Sequence, residues 1–95
     1  MKYLLDLNFT DEDLFKLEEQ TDSELHEELD NSQKLVRKNI QSLVDLGIDN
    51  YKDLFLAYPE MFLMDNEQLT KTLNKYDTAD LIEHLKTDIN VFPQL

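Results

Sequence analysis

Apolar residues recur along the chain every three or four positions, the spacing that places side chains on one face of an α-helix. The stripes are Leu14, Phe15 and Leu17; Leu25 and Leu29; Val36, Ile40, Leu43 and Val44; Leu69, Leu73 and Tyr76; and Leu81, Ile82 and Leu85. The chain holds one Gly and two Pro, so it lacks most of the residues that tight β-turns need. The pattern therefore predicts an all-α fold.

Residues that cap helices stand just before these stripes. Thr10 precedes Asp11-Glu12-Asp13, which resembles a capping box with Asp at its third helical position. The remaining candidate N-caps are Thr21 or Asp22, Asp49 or Asn50, Asp65 and Asp77. Together with a long helix from about Ser32, these positions predict five to six helices.

Two further residues predict where helices end. Gly47 follows the longest stripe and can adopt the positive φ that closes a helix. Pro59 has no backbone N–H, so it predicts a break and a short 3₁₀ turn over residues 58–64. We therefore predict a single helical domain over residues 1–95, a compact bundle or short superhelix of helix-turn-helix repeats. Residues 89–95 form an apolar tail, which we expect to dock on the core, with addition to a partner as the alternative.

A short sequence pattern occurs three times in the chain. Residues 7–14 resemble residues 46–54 with one residue inserted, and residues 76–81 repeat its second half. Each copy has an apolar residue, a capping residue, two or three polar residues and then Asp-Leu. Helix starts in general share these features, but their spacing of roughly 30–40 residues indicates stacked helical repeats.

A larger set of turn and core residues runs through the middle of the chain: Asn39-Ile40, Leu43, Leu46-Gly47-Ile48, Leu54, Tyr58-Pro59, Phe62-Leu63 and Leu69. On these residues, segment 36–76 resembles one repeat of the mitochondrial transcription termination factor family, and residues 4–17 resemble it without the glycine and proline. The resemblance implies a right-handed helical superhelix and nucleic-acid binding through a basic concave face. Because the chain carries a net charge of −12, we carry over the architecture and not the nucleic-acid function.

Acidic residues outnumber basic ones by 21 to nine. Residues 1–33 hold 11 acidic and two basic side chains, whereas residues 34–95 hold ten acidic and seven basic ones. The only basic cluster is Lys34, Arg37 and Lys38. The negative field of the acidic residues repels phosphate backbones and anionic lipid and attracts basic partners. Surplus charge also keeps small proteins soluble. We expect a basic protein surface as the partner, and neither direct nucleic-acid binding nor a membrane.

The cellular compartment is indicated by composition. The chain has no Cys, which excludes disulfides, thiol nucleophiles and cysteine zinc sites. Its first residues reach Asp6 before an apolar run like that of a signal peptide develops. No stretch approaches the roughly 20 apolar residues of a membrane span. We therefore expect a soluble protein of the reducing cytoplasm.

Catalytic motifs are weak in this sequence. The segment His26-Glu27-Glu28-Leu29-Asp30 resembles the His-Glu-x-x-His zinc helix with Asp in the fifth place. A solvated acidic helix, in which His26 and Asp30 are ordinary i, i+4 neighbours, explains the same residues. Carboxylate pairs such as Asp11 and Asp13 suit capping better than acid–base chemistry. We therefore predict a non-enzyme with no metal and no cofactor.

Two sets of residues are candidates for binding a partner. The acidic set is Glu18, Glu19, Asp22, Glu24, Glu27 and Glu28, and the apolar set is Met61, Phe62, Phe92 and Leu95. The leading hypothesis is a regulatory protein–protein interaction module that binds a basic protein surface. The alternatives are a nucleic-acid mimic of the anti-CRISPR type, which blocks a nucleic-acid-binding protein, and a termination-factor-like repeat that binds nucleic acid itself.

Overall fold

The computed structural model describes residues 2–95, which form six α-helices and three 3₁₀ helices. The α-helices are α1 (Asp11–Gln20), α2 (Ser23–Asn31), α3 (Gln33–Asp45), α4 (Tyr51–Ala57), α5 (Asn66–Asn74) and α6 (Thr78–Thr87). The N-terminal, central and C-terminal 3₁₀ helices are Lys2–Leu7, Pro59–Leu63 and Ile89–Gln94. The all-α prediction is confirmed, as is the 3₁₀ turn at Pro59. The helix total is higher than predicted because both ends of the chain also form 3₁₀ helices.

The helices pack into a compact globule with overall dimensions of 35 × 25 × 23 Å. Helix α3 contacts α2, α4, α5 and the central 3₁₀ helix. Helix α1 packs on α4 and on the N-terminal 3₁₀ helix, and α6 packs on α5 and on the C-terminal one. Among residues 2–95, no helix has both the length and the apolar character that crossing a membrane requires.

Side-chain caps fix the starts of four α-helices where the sequence predicts them. Thr10 Oγ1 accepts a hydrogen bond from the Asp13 N–H at 3.1 Å, and the Thr10 N–H donates to the Asp13 carboxylate at 2.9 Å. The N-caps of α2, α5 and α6 accept from the N–H three residues ahead: Asp22, Asp65 and Asp77. Helix α4 differs, because the Asn50 amide donates to Leu85 O at 3.1 Å instead of capping α4.

Two tight turns share one backbone conformation. Gly47 closes α3 with a φ of +84°, and Asn8 closes the N-terminal 3₁₀ helix with a φ of +72°. In both turns the next residue donates a backbone hydrogen bond to the carbonyl five positions earlier, Ile48 to Leu43 and Phe9 to Leu4. This is the geometry of a Schellman helix ending. Its left-handed position is most often occupied by Gly, and Asn is the next most common residue type there.

A row of aromatic rings passes through the core and connects the two ends of the chain. Ring centroids lie 5.3 Å apart for Phe9 and Phe55, 5.0 Å for Phe55 and Phe62, and 5.7 Å for Phe62 and Phe92. Phe55, Phe62 and Phe92 are fully buried. The prediction that Phe62 and Phe92 belong to a partner-binding patch is therefore wrong, because both rings fill the interior, where each contacts another aromatic ring.

Asn39 is the one fully buried polar residue among residues 2–95, and it joins three elements. Its amide nitrogen donates to Phe62 O at 2.7 Å and to Met64 O at 2.8 Å, at the end of the central 3₁₀ helix. Its amide oxygen accepts from Asn66 Nδ2 at 2.9 Å, and the same Asn66 nitrogen reaches Ser42 Oγ. Helix α3 thereby holds the whole link between α4 and α5 in place.

Removing the Asn39 amide should destabilise the fold strongly. In Asn39→Ala, the carbonyls of Phe62 and Met64 lose this donor and the Asn66 amide keeps only Ser42 as its acceptor. We expect the free energy of unfolding to fall by about 2–4 kcal/mol. Urea denaturation followed by circular dichroism measures this loss. Asn74→Ala, at an exposed position near the end of α5, is the control and should change stability by less than about 0.5 kcal/mol. Equal midpoints for the two variants would contradict this account of Asn39.

Gly47→Ala tests the backbone of the α3 ending. A Cβ at this position would lie 3.7 Å from Ile82 Cδ1, an ordinary contact, so the cost comes from the positive φ alone. We expect a loss of about 1 kcal/mol in thermal or urea unfolding. Asn8→Gly, at the related turn, should leave stability unchanged or raise it slightly, because Gly adopts this conformation freely. A Gly47→Ala protein as stable as the wild type would show that this φ is not enforced.

Candidate functional site

Six acidic residues around the end of α1 and along α2 form the acidic surface: Glu18, Glu19, Asp22, Glu24, Glu27 and Glu28. All six are exposed. Leu17 of α1 and Leu29 of α2 are fully buried, and at 100° per residue the glutamates of each helix fall away from these inward positions. The helical period therefore turns the acidic side chains towards solvent.

The members of the acidic surface differ in whether they have a partner. Glu18 lies 3.7 Å from His26 Nε2, and Asp30, beside the surface, lies 3.6 Å from His26 Nδ1. Asp22 caps α2. Within residues 2–95, no Lys, Arg or His side chain pairs with the other four: Glu19, Glu24, Glu27 and Glu28.

The three basic residues of α3 differ in their contacts. The Arg37 guanidinium lies 3.2 Å from Asp6 and stands over the Tyr3 ring, 5.5 Å from its centroid. Lys34 and Lys38 are exposed. Arg37 therefore joins the N-terminal 3₁₀ helix to α3, whereas Lys34 and Lys38 form no ion pair within residues 2–95.

Tyr3 joins the N-terminal 3₁₀ helix to α2 through a buried phenol. Its hydroxyl donates to Leu29 O at 2.8 Å. Burial raises the pKa of Tyr3 to about 12, and the negative charge of Asp30 adds to the rise while Arg37 opposes it. The phenol thus stays protonated and keeps its hydrogen bond over the physiological range.

The residues of the zinc-like motif do not gather a ligand set. His26 lies between Glu18 and Asp30, as a contact between α1 and α2. Within the described chain, no three His, Cys, Asp or Glu side chains converge where they could hold a metal ion. Asp13 belongs to the capping box, and the N–H of Thr10 that donates to its carboxylate lowers the pKa of Asp13. Local structure therefore accounts for these side chains.

The most exposed large apolar side chains are not those of the predicted apolar set. Met61 and Leu95 are half-buried against the core. The large apolar side chains with the greatest exposure are Phe15 at 60%, Val44 at 42%, Tyr76 at 41% and Leu5 at 40%. Phe15, Val44 and Tyr76 belong to the apolar stripes of the sequence, yet the fold leaves them exposed. For Phe15 the signal was available: it lies two positions, or 200°, from the inward Leu17.

A shallow groove runs between α6 and the C-terminal 3₁₀ helix. It encloses about 500 Å³ and is lined by Tyr76, Leu81, Val91 and Leu95 together with charged side chains of both signs. Phe92, behind this groove, is fully buried, and Ile89 is half-buried. The tail therefore packs on its own core through Phe92, while Leu95 stands at the wall of the groove.

Comparison with protein-family models, with curated proteins and with solved structures finds no match to this chain. Its function is therefore inferred from its own geometry and charge.

Alkaline unfolding tests the buried phenol of Tyr3. Its pKa is about 12 in the fold and 10.0 for an ordinary tyrosine, so the unfolded chain loses this proton first. The stabilisation from Tyr3 is therefore complete below about pH 10 and is lost between about pH 10 and 12. Tyr3→Phe should be less stable by about 1 kcal/mol at neutral pH, but it lacks this alkaline step.

Urea midpoints for both proteins, measured from neutral to alkaline pH, give the readout. The stability gap between wild type and Tyr3→Phe should shrink by about 1 kcal/mol between pH 8 and 11. Since lysines titrate in both proteins, their contribution cancels in the comparison. A gap that stays constant would show that the phenol is not buried in this way.

Proposed function

We propose that the protein is a non-enzymatic interaction module whose acidic surface binds a basic protein surface. The observation that carries this proposal is the group of four exposed glutamates without a cation from residues 2–95: Glu19, Glu24, Glu27 and Glu28. Exposed carboxylates without partners add nothing to folding and repel one another. Their concentration on two adjacent helices favours a cationic partner from outside the chain.

The charge of the remaining chain supports the same partner. Residues 34–95 hold ten acidic and seven basic side chains, so the negative field is strongest at the N-terminal third. A basic partner is steered by such a field from several ångströms away, and this attraction weakens as salt is added. Because the module acts by occupying its partner, we propose a regulatory role for it.

The helical-repeat hypothesis gains support from the two left-handed turns. Asn8 and Gly47 occupy matching positions in the repeated sequence pattern. Each is followed by a residue whose backbone N–H donates a hydrogen bond to the carbonyl five positions earlier. We infer that residues 4–17 and 43–54 descend from one helix-turn-helix unit. Nucleic-acid binding by this unit is the weaker candidate, because Arg37 is occupied by Asp6 and the acidic residues dominate the surface.

A matched pair of charge-reversal variants tests the proposed function. The first variant replaces Glu19, Glu24 and Glu28 with Lys. The control replaces Glu60, Glu67 and Glu83, which are exposed outside the acidic surface, and both variants change the net charge equally. Glu24 and Glu67 even hold the same place, two residues after the N-cap Asp of their helix. Any difference between the variants therefore reports position and not total charge.

Each protein is used as bait in lysate of its native cell, with and without nuclease, and captured proteins are identified by mass spectrometry. We expect basic proteins that bind the wild type and the control, resist nuclease, and are lost from the first variant. Competition by added DNA or RNA for the same basic protein would favour the nucleic-acid mimic. Equal capture by all three baits would refute the proposed function, and capture only through nucleic acid would favour the termination-factor-like alternative.

A further inference from the structure

The outer face of α1 carries an aromatic ring that the core does not use. Phe15 is 60% exposed, the highest value among the large apolar side chains of residues 2–95. It points away from the core because Leu17, two positions later, is fully buried on the opposite side of α1. Neither of its ring faces stacks on another aromatic side chain of the described chain.

Four carboxylates surround this ring at the positions that neighbour it on a helix. Asp11 and Glu12 lie four and three residues before Phe15, and Glu18 and Glu19 lie three and four residues after it. Side chains at these spacings are about 5–6 Å apart at Cβ. All four are exposed, and within residues 2–95 only Glu18 lies within ion-pair distance of a cation, namely His26. Lys16, also exposed, stands beside Phe15 and four residues after Glu12. The Phe15 ring is thus flanked by four carboxylates and one ammonium group.

We propose that this face of α1 binds an arginine side chain of the basic partner. The guanidinium stacks on the Phe15 ring while its N–H groups donate to neighbouring carboxylates, above all those of Glu12 and Glu19. Arginine suits this face because its planar group is weakly hydrated, stacks on aromatic rings and pairs with carboxylates at the same time. The inference rests on the proposed function, since it names the chemical group by which the basic partner is held.

Other occupants fit this face less well. An apolar pocket placed over Phe15 would strip water from the surrounding carboxylates without pairing them, which is costly. A second copy of this chain would bring another net charge of −12 against the same face. Lysine satisfies the carboxylates, but its compact and strongly hydrated ammonium gains less from the ring than arginine does. Charge complementarity and the aromatic ring together therefore select arginine.

The test uses two labelled peptides, one with alternating Arg and Ser and one of equal length with alternating Lys and Ser. Their affinities for the full-length chain are measured by fluorescence anisotropy at low salt. We expect the wild type to bind the Arg peptide more tightly. Phe15→Leu should weaken the Arg peptide by about two- to fivefold and leave the Lys peptide nearly unchanged. Phe15→Tyr, which keeps the aromatic ring, should restore Arg binding.

Tyr76→Leu is the matched control, because it makes the same kind of change at an aromatic ring of 41% exposure outside α1. It should leave both affinities unchanged. If the Arg and Lys peptides bind equally well and Phe15→Leu affects neither, the arginine site is refuted, as it is if the Arg peptide does not bind. The proposed function is decided separately, by the charge-reversal variants. If the variant of Glu19, Glu24 and Glu28 loses both peptides and Phe15→Leu loses neither, the proposed function is supported and the arginine site is refuted.

Discussion

The fold depends on the buried amide of Asn39. The link between α4 and α5 continues from Pro59 as a short 3₁₀ helix that ends at Leu63. The carbonyls of Phe62 and Met64 lie at and just beyond this end, where a helix has no further N–H groups of its own to pair with them. The Asn39 amide supplies the missing donors from α3, and Asn66 then satisfies its oxygen. Because each polar group of this network supplies a hydrogen-bond partner to another, removing one group leaves others unpaired.

This network also determines where the aromatic rings lie. With the central 3₁₀ helix held against α3, Phe62 points inward between Phe55 and Phe92. The C-terminal 3₁₀ helix then packs on α4 and α6 around the same ring. In so short a chain, these rings and the leucines beside them take up most of the interior. Little apolar surface is left for a partner, and the exterior is dominated by charge.

Much of this architecture can be predicted from the sequence because its causes are local. Thr10, Asp22, Asp65 and Asp77 start helices through hydrogen bonds within three residues, and Gly47 ends one through its own φ. Whether a helical side chain points towards the core can also be predicted locally, where two nearby buried residues show which face of the helix is inward. The exposure of Phe15 follows from Leu14 and Leu17 by angle alone, although a count of apolar residues puts it in the core.

What the sequence does not give are contacts between distant residues. The burial of Phe62 and Phe92 depends on the path of the chain between them, and a run of apolar residues near Pro59 is equally consistent with an exposed patch. Asn50 shows the same limit, because its residue type predicts a cap through its amide oxygen. In the fold its amide nitrogen donates instead to the carbonyl of Leu85, 35 positions away, and its oxygen does not cap α4. Both 3₁₀ helices at the chain ends likewise form on a core that the sequence does not reveal.

The candidate site differs from the core in how its residues are constrained. The core positions are buried in the fold, whereas Phe15 is 60% exposed and four glutamates form no ion pair within residues 2–95: Glu19, Glu24, Glu27 and Glu28. An exposed phenylalanine and a group of repelling carboxylates are each slightly unfavourable for an isolated protein. A cation that stacks and pairs relieves both at once. A basic partner, as proposed, would pair the carboxylates of α1 and cover the Phe15 ring of the same helix.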